Sequence, residues 1–135
     1  MNTLFEPYLV EGGHYSDERG VVRFVNDFDM LRVTRMYSIE SNPDVIRAWQ
    51  GHQFETKWFF VAKGIFLVKT IEIGTNIKKE FRLSSNASAV LCIPGGHFNG
   101  LVALEEHSVM MVFSDVDLSI SKNDDLRQSV DLIPW

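Results

Sequence analysis

Cysteine is almost absent from this sequence, and so are long apolar runs. The single cysteine, Cys92, has no partner for a disulfide within the chain. No uninterrupted apolar stretch approaches the length of a membrane span, and the first residues lack the basic and apolar regions of a secretion signal. These absences predict a soluble, cytoplasmic protein.

Basic residues are in the minority. The 135 residues include 13 Lys and Arg against 18 Asp and Glu, which gives a formal net charge of -5, and no basic block occurs. A nucleic-acid backbone or an anionic membrane attracts clustered positive charge, so neither is expected as a partner. A chain of this length suits one domain, 1–135, around a single apolar core.

Long segments with the apolar periodicity of a helix are missing as well. Short runs rich in Val, Ile, Phe, Met and Leu alternate instead with turn residues, which predicts β-strands. The runs cover residues 21–25, 33–39, 58–61, 65–73, 81–83, 89–93, 100–104 and 108–113. Strands at this spacing indicate a sandwich or a small jelly-roll barrel that encloses a cavity. Only residues 123–129 suit a short helix, with Asn123 or Asp124 as its cap.

A motif with the spacing of metal-binding residues lies between residues 47 and 64. These residues read R-A-W-Q-G-H-Q-F-E-T-K-W-F-F-V-A-K-G. The general cupin motif reads H-x-H, four residues, E, six residues, G. Counted back from Gly64, Lys57 occupies the Glu position, His52 the second His position and Gln50 the first. Of these three ligand positions, only His52 keeps a typical metal-binding side chain.

A second part of the same pattern follows at Pro94-Gly95-Gly96-His97-Phe98-Asn99. It resembles the second cupin motif, P-x-G-x-x-H, with Asn99 in place of the last metal-binding His. Zinc, iron and manganese sites need several neutral or anionic donors, and the ammonium of Lys57 would repel the ion. We therefore expect no metal and no other cofactor.

Together the two motifs resemble those of the metal-free cupins, the nucleotide-sugar epimerases and ketoisomerases. The dTDP-4-dehydrorhamnose 3,5-epimerases carry R-G-L-H-x-Q, then Lys, six residues and Gly, and later P-x-G-F-x-H-G-F. The matching positions are Arg47, Lys57, Gly64, Pro94, Gly96 and Gly100, and residues 17–20 read D-E-R-G, like the D-x-R-G of the family. The resemblance spans about Asp17 to Phe113 and implies an all-β, cupin-type double-stranded β-helix, a jelly-roll barrel.

Two positions depart from the epimerase pattern. The catalytic His of the family falls on Gln50, and no Tyr follows Phe113, where the general acid would lie. The sugar 3,4-ketoisomerases, with R-G-x-H-A-H, offer the closer analogue of His52. The resemblance thus implies 3,4-ketoisomerisation or single-centre epimerisation of a nucleotide-linked 4-keto-6-deoxy sugar, in deoxysugar or polysaccharide biosynthesis. The alternative is a non-catalytic cupin that binds a sugar nucleotide or another small molecule.

Three side chains are candidates for proton chemistry. Imidazole titrates near neutral pH, so His52 is expected to act as general base at a carbon beside the ketone, against the alternative of a structural histidine. Lys57 would stabilise the enolate oxygen, provided that it faces a polar cavity. His97 follows a Gly-rich turn and is the candidate for a second proton carrier, or is merely solvated.

Five more residues are candidates for substrate binding. Arg47 would hold the diphosphate with its guanidinium, and Arg19 would do the same or pair with its acidic neighbours. Trp49 would stack on the nucleobase, although most aromatic residues of a small domain lie in the core. Gln50 and Asn99 would hydrogen-bond to the sugar, or Asn99 satisfies a turn.

The resemblance also implies a homodimer, because relatives pair through N-terminal strands or a sheet face. Apolar residues near the N-terminus would suit such a contact, or would cover the chain's own core. They are Leu4, Phe5, Tyr8, Leu9 and Val10.

Overall fold

Short antiparallel strands form most of the structure, a computed structural model that describes residues 5–135. In chain order the elements are β1 (Tyr8–Glu11), β2 (Gly13–Asp17), β3 (Gly20–Phe24), β4 (Arg35–Ser41), β5 (Arg47–His52), β6 (Lys57–Lys63), β7 (Ile65–Glu72), β8 (Lys78–Ser84), β9 (Ala89–Ile93), β10 (His97–Ala103), β11 (Ser108–Ser114), α1 (Leu118–Lys122) and β12 (Leu126–Arg127). Leu4, one of the residues expected at a dimer contact, lies outside the described residues.

The strands form two five-stranded sheets and a separate hairpin. The first sheet has the order β1-β9-β6-β11-β4 and the second the order β12-β5-β10-β7-β8, while β2 pairs with β3. Side chains alternate faces along each strand, so the inward residues of both sheets meet in one core. That core includes Phe59 and Met110 from the first sheet and Phe66, Val68 and Leu101 from the second. The all-β jelly roll predicted from the sequence is thereby confirmed.

Two segments outside the sheets cover their outer faces. The segment after β12 covers the second sheet, where the ring of Trp135 packs on Trp49 and Phe98. The loop before β4 covers the first sheet, where Phe28 packs against Trp58. Strands β6, β9 and β10 are therefore buried on both faces over much of their length, which is why they read as nearly continuous apolar runs.

The predicted strands are all present, within a few residues of their expected ends. The predicted helix over 123–129 is wrong. The helix of the described chain is α1, capped by Asp117, which accepts from the backbone N–H of Ile120 at 2.9 Å. Residues 126–127 form β12 instead, and Asp124 hydrogen-bonds to another segment rather than capping a helix. No helix within residues 5–135 is long and apolar enough to cross a membrane.

Candidate active site

Five polar side chains form one row across the second sheet. The register pairs Arg127 with Gln50, Gln50 with Asn99, Asn99 with Thr70, and Thr70 with Lys79. Antiparallel partners in register point to the same face, and this face is the inner one. The neighbouring level of the barrel is apolar core. The row therefore marks the level at which the barrel accommodates polar groups.

A cavity of about 310 Å³ opens at one end of this row. Its lining combines an apolar part with three cations, a phenol and two amides. The apolar residues are Ile39, Ile46, Ala48, Phe59 and Leu101, and the polar ones are Tyr37, Arg47, Gln50, Lys57, Asn99 and Arg127. A second cavity of about 340 Å³ shares Tyr37, Gln50, Lys57 and Arg127 with it, so the two meet at the same polar groups. Size and lining suit a small polar ligand with an anionic part.

Lys57 is a buried cation with neutral partners. Its side chain is 3% exposed, and its Nζ donates to the phenol oxygen of Tyr37 at 2.9 Å and to Oε1 of Gln50 at 3.3 Å. Among residues 5–135, no carboxylate lies within 4.0 Å of this ammonium. Burying an unpaired charge is costly, so a negative charge bound in the cavity would stabilise the site.

Gln50 links two charged groups. Its Nε2 donates to Oδ1 of Asp125 at 3.1 Å, while its Oε1 accepts from Lys57. Asp125 also accepts from Nε of Arg127 at 2.9 Å. Burial opposes the ionisation of Asp125, but the hydrogen bonds from Arg127 and Gln50 outweigh it and hold the pKa of Asp125 below its usual value. The amide is thus fixed in orientation by an anion on one side and a cation on the other.

His52 lies next to Gln50 on the inward face of β5 and is 3% exposed. Its Nδ1 is 2.6 Å from the carbonyl oxygen of Asp124 and 3.5 Å from Oε1 of Glu55. A carbonyl oxygen only accepts, so Nδ1 carries the hydrogen and Nε2 holds the lone pair. Nε2 is buried and has no hydrogen-bond partner among residues 5–135. Burial and the charge of Lys57 lower the pKa of His52, so the imidazole is neutral at neutral pH.

An ion pair between the buried carboxylate of Glu55 and the partly buried Arg35 lies beside His52. Glu55 is 1% exposed and accepts from Arg35 at 3.2 Å and from the hydroxyl of Ser114 at 2.7 Å. The same Arg35 guanidinium donates to Ser121 of α1 at 3.0 Å. These contacts attach α1 to the barrel and leave His52 between this pair and Lys57.

His97 is the cross-strand neighbour of His52, but it does not line the cavity of about 310 Å³ that Lys57 lines. Its Nδ1 is 2.9 Å from the carbonyl oxygen of Pro94. The side chain contributes instead to a separate cavity of about 70 Å³, together with Thr70 and Lys79. His97, expected as a second proton carrier or as a solvated turn residue, is therefore buried and lines a different cavity from Lys57.

Comparison with known proteins gives matches in structure. No protein-family model matches the sequence, and no curated protein is significantly similar to it. A dTDP sugar isomerase from Desulfovibrio desulfuricans G20 is 18% identical, with a TM-score of 0.79 over 96% of this chain and 88% of that one. A mutant of the 3,4-ketoisomerase QdtA from Thermoanaerobacterium thermosaccharolyticum, in complex with TDP-4-keto-6-deoxyglucose, is 17% identical, with a TM-score of 0.74 over 93% and 90%.

The 3'-monoepimerase ChmJ from Streptomyces bikiniensis, in complex with dTDP-quinovose, is 12% identical, with a TM-score of 0.79 over 94% of this chain and 72% of that one. The TM-scores establish a shared fold, and identities this low establish nothing beyond it. This chain has a jelly-roll fold of the cupin type. The proteins that share this fold include sugar-nucleotide epimerases and ketoisomerases, whose motifs the two sequence motifs of this chain resemble.

Of the four positions that match metal ligands in the general cupin motifs, His52 keeps a histidine, and Gln50, Lys57 and Asn99 occupy the other three. The structure joins Gln50 to Lys57 by a hydrogen bond. No group of three or more His, Cys, Asp or Glu side chains arranged to hold a metal ion occurs within residues 5–135.

The two arginines expected at a diphosphate lie in different places. Arg47 is at the exposed start of β5 and lines the cavity of about 310 Å³. Arg19 is at the turn of the β2–β3 hairpin, with its side chain 81% exposed and its guanidinium 2.6 Å from Asp17. Of these two arginines, Arg47 lines the cavity, whereas Arg19 makes a local salt bridge to Asp17.

Trp49 and Asn99 also differ in position. Asn99 is buried and lines the cavity. The backbone of β5 brings Trp49 to the cavity wall, but the indole is 1% exposed, donates to the carbonyl of Ile133 at 2.6 Å and stacks on Trp135 at 5.4 Å. An indole packed in this way offers no free face to a nucleobase, since its surface is already covered.

Three polar residues of the site were missed by sequence reasoning. Tyr37 lies in a predicted strand, two residues from Arg35 and two from Ile39, and this alternation was the signal that it faces the barrel interior. Asp125 and Arg127 lie in the segment for which a helix was predicted. No sequence pattern pairs them with Gln50, because the contact joins residues 75 positions apart.

Proposed function

We propose that this cupin is an isomerase or epimerase that enolises a nucleotide-linked 4-keto-6-deoxy sugar. The observation that carries the proposal is the buried ammonium of Lys57, which has only neutral partners and faces a polar cavity. Enolisation creates a negative charge on the former ketone oxygen, and a fixed cation at that point stabilises it. Two neighbours of the same fold hold TDP-4-keto-6-deoxyglucose and dTDP-quinovose, which supports a sugar nucleotide as ligand.

The reaction needs one base, one oxyanion partner and a proton carrier. The base removes the proton on the carbon beside the ketone, the electron pair forms a carbon–carbon double bond, and the oxygen becomes an enolate next to Lys57. Return of the proton to the other face gives the epimer. Transfer of the neighbouring hydroxyl proton, followed by protonation of the old carbonyl carbon, gives the 3-ketone. No metal takes part in this scheme.

His52 is the proposed base, because its neutral imidazole has a lone pair on Nε2. Contact with the substrate requires a rearrangement that exposes Nε2, which is buried in the free chain. Tyr37 replaces His97 as the proposed second proton carrier, since its phenol lines the cavity and contacts Lys57. Gln50 and Asn99 would then hydrogen-bond to sugar hydroxyls.

Binding of the diphosphate is assigned to the two arginines at the cavity. Arg47 and Arg127 both line it, and guanidinium groups pair with phosphate oxygens through two parallel hydrogen bonds. Arg127 is already oriented by Asp125. Arg19 would contribute only from another subunit, since its own chain leaves it on the surface.

A solvent-exchange experiment tests the proposal. Proton NMR of dTDP-4-keto-6-deoxyglucose in deuterated water follows the signals at the carbons beside the ketone. We expect loss of one signal with the wild type and with Lys63→Met, an exposed lysine on the same strand, and no loss with Lys57→Met. Equal exchange by the wild type and Lys57→Met would contradict the role of the ammonium.

A second candidate function is a cupin that binds a sugar nucleotide without converting it. Gln50 stands in the position of the catalytic His, and Nε2 of His52 is sealed from the cavity, which favours this candidate. Saturable binding of dTDP-4-keto-6-deoxyglucose by calorimetry, together with no exchange at any sugar carbon, would decide for it.

The homodimer expected from the resemblance remains a proposal. Large apolar side chains are exposed on β1 and on the β2–β3 hairpin, among them Tyr8 at 51%, Tyr15 at 61% and Val22 at 63%. Exposed apolar patches of this kind mark contact surfaces. Light scattering after size exclusion should give about twice 15.5 kDa, and a 15.5 kDa species would contradict the dimer.

A further inference from the structure

Asp124 contacts the end of β5 and the segment that follows it at four points. Its carboxylate accepts from three successive backbone N–H groups, those of Gln53 at 2.7 Å, Phe54 at 2.9 Å and Glu55 at 2.9 Å. Its own carbonyl oxygen lies 2.6 Å from Nδ1 of His52. One residue thus holds both the imidazole and the backbone that follows it.

Three convergent amides form a concave anion site in the backbone. Burial opposes the ionisation of Asp124, but the bonds from Glu55, Phe54 and Gln53 outweigh it and hold its pKa below the usual value. Because the carboxylate is charged and saturated with donors, the backbone at Asp124 is fixed relative to residues 53–55. The position of its carbonyl oxygen beside His52 follows from that anchor.

We propose that Asp124 is a positioning residue for His52. The side-chain anchor of Asp124 to residues 53–55 sets the Asp124 carbonyl oxygen against Nδ1 of His52 and so leaves the lone pair on Nε2. A bound imidazole nitrogen fixes the tautomer of the ring, and the opposite nitrogen becomes the proton acceptor. The tautomer is a property of the free protein. Its catalytic consequence rests on the proposed function.

The surrounding charges act in the same direction. Lys57 faces the imidazole from β6 and disfavours a protonated ring, while Glu55 lies 3.5 Å from Nδ1 and accepts from Arg35 and Ser114. A carboxylate oxygen on the Nδ1 side also favours hydrogen on Nδ1. In the described chain no acceptor or donor contacts Nε2, so nothing else selects the tautomer from that side.

Nitrogen-15 NMR of the full chain tests the assignment directly, since long-range proton–nitrogen correlations distinguish the two tautomers. The signals of His52 among the four histidines are those missing from His52→Gln. We expect the Nδ1–H form in the wild type at neutral pH and a mixture with the Nε2–H form in Asp124→Asn. The control is Asp125→Asn, the same charge change one residue on, which should keep the Nδ1–H form.

A wild type in the Nε2–H form would overturn the proposal, and so would an Asp124→Asn spectrum identical to that of the wild type. Where Asp124→Asn does not fold, Asp124→Glu keeps the charge, displaces it by one methylene and should also show a share of the Nε2–H form. An Asp124→Glu spectrum that keeps the pure Nδ1–H form would again overturn the proposal.

Activity provides a separate readout. Solvent exchange at the sugar should fall about 100-fold in Asp124→Asn, the size of effect that a misplaced catalytic group causes, while dTDP binding changes little. Exchange absent from the wild type as well would refute the proposed function and leave the tautomer result standing. Full exchange by a folded Asp124→Asn protein would refute the positioning role alone.

Discussion

The ammonium of Lys57 donates to the phenol oxygen of Tyr37 at 2.9 Å inside the barrel. Because the oxygen accepts from the lysine, the phenol hydrogen is free to point at a ligand in the cavity. The guanidinium of Arg35 lies 5.2 Å from the ring centroid of Tyr37, which adds a second cation beside it. A phenol between two cations is suited to donate a hydrogen bond or a proton to an oxygen that gains negative charge.

Replacement of that phenol tests its role. We expect Tyr37→Phe to lower the rate of solvent exchange about 100-fold, within the range for loss of a general acid or base, and to leave the dissociation constant for dTDP nearly unchanged. NMR gives the rate and calorimetry the affinity. Tyr15→Phe, on the exposed hairpin, is the matched control. An unchanged rate in a folded Tyr37→Phe protein would remove Tyr37 from the mechanism.

Gln50 offers a gain-of-function test. In Gln50→His an imidazole would stand in the cavity, with Asp125 able to accept from one ring nitrogen and Lys57 close to the other. Imidazole titrates near neutral pH, whereas an amide does not take a proton there. We expect the exchange rate to rise about tenfold or more, which the same NMR assay measures. A folded variant without any rise would show that a base at this position is not what limits the reaction.

The buried imidazole of His52 predicts a pH dependence of stability. Burial and Lys57 lower the pKa of His52 below 6.5 in the folded chain, so the unfolded chain takes up a proton there before the folded chain does. The free energy of unfolding should fall as the pH drops below about 6.5. Urea titrations at about pH 7 and about pH 5 should show a larger loss for the wild type than for His52→Gln. Equal losses would contradict a lowered pKa.

Gly100 predicts a packing defect on the outer face of the second sheet. A Cβ at this position would lie 2.6 Å from the ring of Trp135 and 2.7 Å from Cβ of Ala48, so the C-terminal cover must shift. Overpacking of this kind costs about 1–3 kcal/mol. We expect Gly100→Ala to lower the free energy of unfolding by that amount in urea titrations. A stability equal to that of the wild type would show that the cover moves without cost.

The strands and the motif frame were predictable because both depend on local sequence. Short apolar runs between turn residues indicated the strands, and the resemblance of residues 47–64 and 94–99 to the cupin motifs implied the cupin-type barrel. The contacts of Asp124 and Asp125 were not predictable, since they join residues about 70 positions apart in segments without periodicity. Local propensity favoured a helix there, and the backbone amides after β5 outweighed it. His97 was predicted from a turn, but which of two cavities it faces depends on packing.

Residues 124–127, which form one wall of the cavity, also affect the order in which the barrel can be completed. These residues are synthesised after β1 to β11. Strand β12 pairs with β5, which is synthesised much earlier. Until they arrive, the edge of β5 is unpaired and His52 lacks its partner at Nδ1. An unpaired strand edge is a site for wrong pairing with other chains, so the same short segment that completes the pocket also covers the edge at which such pairing would begin.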